Sequence, residues 1–526
     1  MPMMEVLLEQ LSFDGMIDSL DTMVGSPRKA FLLQNCYPQD PELDGGLVGV
    51  PGFQLTEDSQ KGSAGNRTTQ RVYQYTQLDG TEFTVGFCGG KMYTYSWGGG
   101  TWTEKTLSGA GVVLDTSAKV FCVTFNNKLI VNPNDGTNEM FSWDGSSFAS
   151  LTESAPIFGQ PVVYYAKLFG IKWAERTTIQ WSEENDETSG YESSGFNNSW
   201  TLGQTDQETL HAIHATNEAL YYFRARSIGE ISGAVTTNFS TDGVRDGVSE
   251  TVGTLSPAAV TSHEKNIYFL SADGRPHMIR PGLGVTPLWV HAQQTIANIP
   301  RAQLSKAVAI DDVTTRHILF GLAESGASNP TFHLAYRYGA FDQNAIAVFA
   351  GIWRGYTFQS YDMVKNASLE PTIIHGSTDG YFYDHGRPLG SLWDHALKAG
   401  TVAIAHVVVG TTLGHDIRVN KIYDRLDLSF RAQSNMTGLT FSLATPNGTT
   451  ASTAFTVVSG NAVWDDAIWD TDTWAVDGLE AHSTLGLNSD GRWARPKIVH
   501  SATGERFGLN GWQLGAYVDG DDPAAK

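Results

Sequence analysis

From about residue 70 onward, apolar and polar residues alternate over short stretches, the two-residue period of strands, and polar turns separate them. TVGFCGGKMYTYSW, VTFNNKLIVN, VYYAKLFGIKW, IHATNEALYYF, VTSHEKNIYFL, AIDDVTTRHILFGL and IHGSTDGYFYD each read as strand, polar turn, aromatic strand. Their turns fall near residues 90, 127, 167, 218, 265, 313 and 379. The mean step of about 48 residues matches the blade length of WD40- and kelch-type β-propellers. Twelve Asp-Gly pairs punctuate the chain, with Asn447-Gly448 and Asn510-Gly511 in addition. Such pairs tolerate the positive φ angles of type I′ hairpin turns and mark a protein built of hairpins.

The two ends read differently. Ser26-Pro27 has the order of a helix start, and RKAFLLQN can carry about two helical turns before Pro38. The prolines of PQDPELDGG and VPGF then suit an extended segment lying over a surface. Beyond residue 400, RVNKIYDRLDLSFRAQ, GLTFSLATPNGTT and STAFTVVSG alternate as strands without the blade spacing. The expectation is an all-β chain: an N-terminal arm with a short helix over 1–65, a β-propeller of about six to eight blades over 66–400, and a C-terminal β domain over 401–526.

Composition narrows the function. Gly reaches 55 of 526 residues and charged residues are only 17%, which argues against coiled coils and helical bundles. The formal charge of −21 disfavours non-specific adhesion to nucleic acid. Cys36, Cys88 and Cys122 form neither a CxxC clip nor an even disulfide framework, so folding in a reducing compartment is expected. MPMMEVLLEQ has no basic residue ahead of its apolar stretch, so no export signal is expected. The longest apolar run, from Ala345 to Trp353, falls far short of the roughly 20 residues of a membrane-spanning helix, so no membrane anchor is expected.

Candidate chemistry is sparse. Ser142, Ser240, Ser271 and Ser377 each begin Ser-x-Asp-Gly, near the Asp-box of sialidases but lacking its spacing and its Trp, so tight turns are the simpler reading. Glu183, Glu184, Asp186 and Glu187 could supply paired carboxylates for glycoside hydrolysis, but their Ser/Gly/Asn-rich setting reads as an exposed loop. His211 and His214 would share a face on a helix and oppose each other on a strand; the hairpin pattern favours the strand and disfavours a metal site. No Walker loop and no G-x-S-x-G elbow occur. In WDDAIWDTDTW, Trp464, Trp469 and Trp474 recur every five residues and could stack on sugars; packing among themselves or sealing a subunit contact is favoured. No enzyme activity, cofactor or metal is expected.

The order of LSFDGMIDSL, SPRKAFLLQNCYPQ and VPGF, then ERTTIQWSEENDETSG, LHAIHATNEALYYFRARSIGEISG and GTLSPAAVTSHEKNIYFLSADG, then the WDxxxWDxxxW run and GRWARPKIVHSATGERFGLNGWQLGAYV, resembles the β-propeller tail proteins of short-tailed bacteriophages, called nozzle, tail hub or packaged-DNA stabilisation proteins. The resemblance implies a structural virion protein assembled in the host bacterial cytoplasm. It implies a ring, usually a hexamer, beneath portal and adaptor and beside tail fibres or spikes, whose lumen retains genomic DNA and lets it pass without specific binding. The alternative is a propeller-type glycan-binding or glycan-degrading receptor protein, which would need converging carboxylates or arginines in a cleft.

Overall fold

The alternating segments are strands in the computed structural model, which describes residues 5–10 and 30–518 apart from 39–45, 110, 152–156, 189–197, 203–207, 234–243, 328, 339–346, 356–357, 386–393, 398–399, 411–412, 414–419, 432–435, 450–452, 458–479, 504 and 506. Seven antiparallel blades follow one another at 69–105, 121–150, 158–201, 210–249, 260–287, 308–354 and 360–384. Their innermost strands touch neighbour to neighbour around a circle, and Ser360–Lys365 of blade 7 returns to Thr69–Thr76 of blade 1. At that junction the Val72 amide donates to Ser360 Oγ at 3.1 Å. The chain is a closed β-propeller.

Closure follows from the sequence pattern. Each blade presents apolar rows on both faces, and only a neighbouring blade can cover them. Blades 1 and 2 share Tyr75, Phe87, Leu129, Phe141 and Trp143, while blades 3 and 4 share Phe169, Trp181, Leu220 and Tyr222. Asp79-Gly80, Asp135-Gly136, Asp144-Gly145, Asp273-Gly274 and Asp379-Gly380 do lie at tight turns, while Asp246-Gly247 and Asp490-Gly491 lie in strands, and in the described pairs only glycine takes a positive φ, as at Gly80, Gly145, Gly274 and Gly380. Aspartate instead accepts amide protons from residues two and three further on, as Asp144 does from Ser146 and Ser147. That local bond favours an Asx-type turn over the expected type I′ turn. Consecutive positive φ values occur at Asn126-Asn127 and Tyr165-Ala166 instead, and Asn510-Gly511 lies inside a strand.

Blade 7 takes its fourth strand from the N-terminal part of the chain. Phe53–Leu55 pairs antiparallel with Phe382–Asp384 and parallel with Asp394–Leu397. The strands before it belong to a second body, a sandwich made jointly by both ends of the sequence. One sheet has six strands, with Glu5–Gln10 and Leu47–Gly49 both paired to Gly508–Val518. The other carries Leu32–Gln34, His406–Val409, Arg495–His500 and Met436–Thr445, and is continuous with blade 6 in a ten-stranded sheet. That continuity runs through the parallel pairing of Gln34 with Ile352.

The expected helix over RKAFLLQN is not what the chain forms from Ala30 onward: Leu32–Gln34 and Cys36–Pro38 are strands. Local propensity loses to two sheet edges that pair with this stretch, and Asn35 at φ 55° turns the chain from one sheet to the other. The Asn35 side chain holds the turn by donating to Ala405 O at 2.9 Å. Gly351, at φ +151°, lets this strand approach, because a Cβ there would lie 2.9 Å from Leu33 O. One apolar cluster joins both bodies, running from Leu270, Phe320 and Tyr336 of blades 5 and 6 to Phe441, Ile498 and Trp512 of the sandwich.

Candidate functional site

The seven innermost strands surround an axial cavity of about 390 Å³. Arg71, Cys122, Gln160, His214, Ser262 and Asp362 supply most of its chemistry, one residue from each of six blades. Gln160 is committed to the scaffold, accepting the Ile213 amide at 3.1 Å and donating to Pro257 O at 3.4 Å. Burial raises the Asp362 carboxyl above its ordinary range, while the Arg71 guanidinium and the amides of Met363 and Gln74 act in the opposite direction. Burial pushes His214 down to about 4, and it raises the thiol of Cys122, so the imidazole is neutral and the sulfur protonated near neutral pH. A protonated thiol is a poor nucleophile. Glycoside hydrolysis calls for two carboxyl groups, and Asp362 is the one carboxylate lining this cavity among the described residues.

The cavity was not legible as a site in the sequence. In the sequence His214 stands out only through its spacing from His211, and the two part as strand geometry requires. His214 faces the axis, whereas His211 lies beside Thr209, Arg176 and Glu208. No group of three or more metal-ligating side chains occurs among the described residues.

The acidic cluster is not simply solvated. Glu184 is exposed, but Glu187 is 2% exposed and accepts from Asn126 Nδ2 at 3.0 Å and from Lys128 Nζ, both in the first turn of blade 2. Glu183 accepts from Asn198 Nδ2 at 3.0 Å, and Asp186 accepts the Thr188 amide at 2.8 Å. The cluster ties blade 3 to blade 2 and closes its own turn, which explains the acidic density without catalysis. Glu187→Ala is expected to cost about 1–3 kcal/mol by removing the buried carboxylate that accepts from the Asn126 side-chain amide and the Lys128 ammonium, as read by urea unfolding.

Two Ser-x-Asp-Gly segments are hairpin turns closed by their own side chains. Ser271 Oγ donates to the Asp273 carboxylate and contacts Arg275 O at 2.8 Å, and Ser377 is bonded in the same way to Asp379 and Tyr381 O. Ser142 differs, with its hydroxyl 3.4 Å from Ala149 O across a strand pair. Ser240, together with Trp464, Trp469 and Trp474, lies outside the described residues.

No protein-family model matches the chain, and no curated protein matches it. Solved structures with a similar arrangement include the extracellular domain of BT4673 from B. thetaiotaomicron, at 6% identity and a TM-score of 0.37 over 63% of this chain. The chain spans 39% of that protein's length. A chain of an S. cerevisiae complex of Dbp5 with Nup159 and Gle1 is similar at 11% identity and a TM-score of 0.36, covering 71% of this chain and 98% of that one. PorZ, a surface component of the type-IX secretion system of Porphyromonas gingivalis, is similar at 7% identity and a TM-score of 0.35, over 67% of this chain and 42% of its own.

Proposed function

We propose that this chain is a structural subunit of a short-tailed phage tail, a nozzle or hub that assembles into a ring around the exit path of the packaged genome. The observation that carries the reading is the weave of the fold. The N-terminal segment runs through both sandwich sheets and then completes blade 7, so propeller and sandwich share strands as well as one apolar core. A body built this way transmits load without a hinge between its parts, as a wall element of a pressurised tube must. The formal charge of −21 supports a lumen that repels the phosphate backbone and lets DNA slide, with retention left to a physical constriction. The resemblance of the order of sequence features to that of tail nozzle proteins supports the same role.

Negative-stain imaging and native mass spectrometry of the purified protein, alone and mixed with its virion, test this. Closed rings, usually of six copies, are expected, together with no salt-sensitive retention of duplex DNA. A monomer that binds or cleaves host lipopolysaccharide or capsule would overturn the reading in favour of a receptor protein.

A further inference from the structure

We propose that the axial cavity of the propeller binds a small oxyanion, a carboxylate or a sulfate-like group, whose charged end lies against Gln359, Arg71 and Lys119. Donors without acceptors among the described residues face this cavity and the space beside it. Next to the cavity a second, narrow space of about 20 Å³ lies between blades 1, 2, 6 and 7, and Arg71, Phe121, Ala258, Ala309 and Tyr361 line both. Gln359 lines this narrow space, is 8% exposed, and its Nε2 has no hydrogen-bond partner among the described residues. The buried Nε of Arg71 has none among them either. The Lys119 ammonium is the third donor, with one bond at 3.0 Å to Lys306 O.

Lys119 is presented by a pinned turn. Gln70 Nε2 donates to Asp115 O and Ala118 O, each at 2.7 Å, and Asp115 Oδ1 accepts the amides of Ser117 and Ala118, also at 2.7 Å each. Donors held in place beside apolar walls of Phe121, Val308 and Ala309 fit an acceptor-only ligand. In a chain of formal charge −21, the charged side chains lining the two adjoining spaces, among the described residues, are Arg71 and Lys119 against Asp362. The narrow space admits about one oxygen atom, and the wider cavity beside it takes the remainder of the ligand.

Protonation is coupled to this geometry. Burial, with Arg71 and Lys306 nearby, pushes the Lys119 ammonium down to about 7. An anion beside it reverses that shift, so binding takes up a proton near neutral pH and weakens as pH rises. The other titratable or charged groups around it are Arg71 of blade 1, Cys122 of blade 2, His214 of blade 4, Lys306 ahead of blade 6, Tyr361 and Asp362 of blade 7, and Asp115 of its own turn. Protonation of Asp362 would act in the same sense, so Asp362→Asn separates the two.

The test is calorimetric titration of the intact protein with sulfate, whose charge is constant between about pH 6 and 8.5, and with succinate as the carboxylate arm. Saturable binding that weakens by up to about tenfold per pH unit above pH 7 is expected, and it persists in Asp362→Asn. Lys119→Gln should weaken binding by about tenfold or more, and Lys119→Arg should keep binding while removing the pH dependence. Gln359→Leu should weaken it without altering the pH dependence. Absence of saturable binding of either anion, or binding unchanged in Lys119→Gln and Gln359→Leu, would overturn the proposal, and neither result bears on ring assembly.

Discussion

Phe53→Ala is expected to cost about 3–5 kcal/mol and to open the propeller at blade 7. Phe53 is 2% exposed and sits among four rings, with centroids 4.7 Å from His375, 5.2 Å from Tyr383, 5.8 Å from His385 and 6.2 Å from Phe358. Its strand is short. Backbone pairing to blade 7 runs through Gln54 and Leu55, extended by the Thr56 amide donating to Phe382 O at 3.0 Å. With so little ladder, the side chain is the main anchor of the strand that closes the circle. Thr56 also links the seam to blade 1, since Trp102 Nε1 donates to Thr56 Oγ1 at 2.8 Å. Loss of Phe53 should therefore lower the urea midpoint and expose the stretch around residue 60 to protease before global unfolding. A loss below about 1 kcal/mol with unchanged proteolysis would mean that the closing strand is held by something other than this cluster.

Hairpin grammar carried most of the propeller. Alternation and turn residues placed strands where strands occur, and seven recurring hairpins correspond to seven blades. The uneven repeat spacing has a simple origin. In blades 2 to 6 the marked turn joins the innermost strand to the second, but near residues 90 and 379 it joins the second to the third. The first turns of blades 1 and 7 lie at 77–81 and 366–370, so the long step before residue 379 reflects a change of turn and not a missing blade.

What stayed hidden is long-range. Leu32, Leu33 and Gln34 pair with Val409, Val408 and Val407, partners more than 370 positions away, and nothing in the local pattern of RKAFLLQN records that demand. For the same reason the N-terminal segment read as an arm although its strands complete a blade and both sandwich sheets. The axial cavity was hidden too, because Arg71, Lys119 and Gln359 are scattered polar residues until the ring closes. Glu187 misled in the opposite direction, as an acidic residue in a polar stretch whose partners Asn126 and Lys128 come from another blade.

Trp512→Ala is expected to destabilise propeller and sandwich together. Trp512 is 1% exposed on the strand Gly508–Val518, paired to Leu428, and its indole lies so close to Gly410 that a Cβ there would sit 2.3 Å from Cζ2. Removing it leaves a large void at a cost of about 3–5 kcal/mol. The size of the thermal shift tells whether the shared core makes one cooperative unit. If all 526 residues unfold together, the entropy of unfolding is so large that this loss moves a single transition by only roughly 3–5 °C. If the sandwich unfolded alone, as a unit of about 150 residues, the same loss would move its transition by roughly 10–15 °C and leave the propeller's in place. The apolar cluster joining Trp512 to Phe320 and Tyr336, and the sheet that runs unbroken from blade 6 into the sandwich, favour the small, single shift. Differential scanning calorimetry of the variant decides the matter, because an early, separate endotherm above an unmoved second one would show that the two bodies melt independently despite their shared strands.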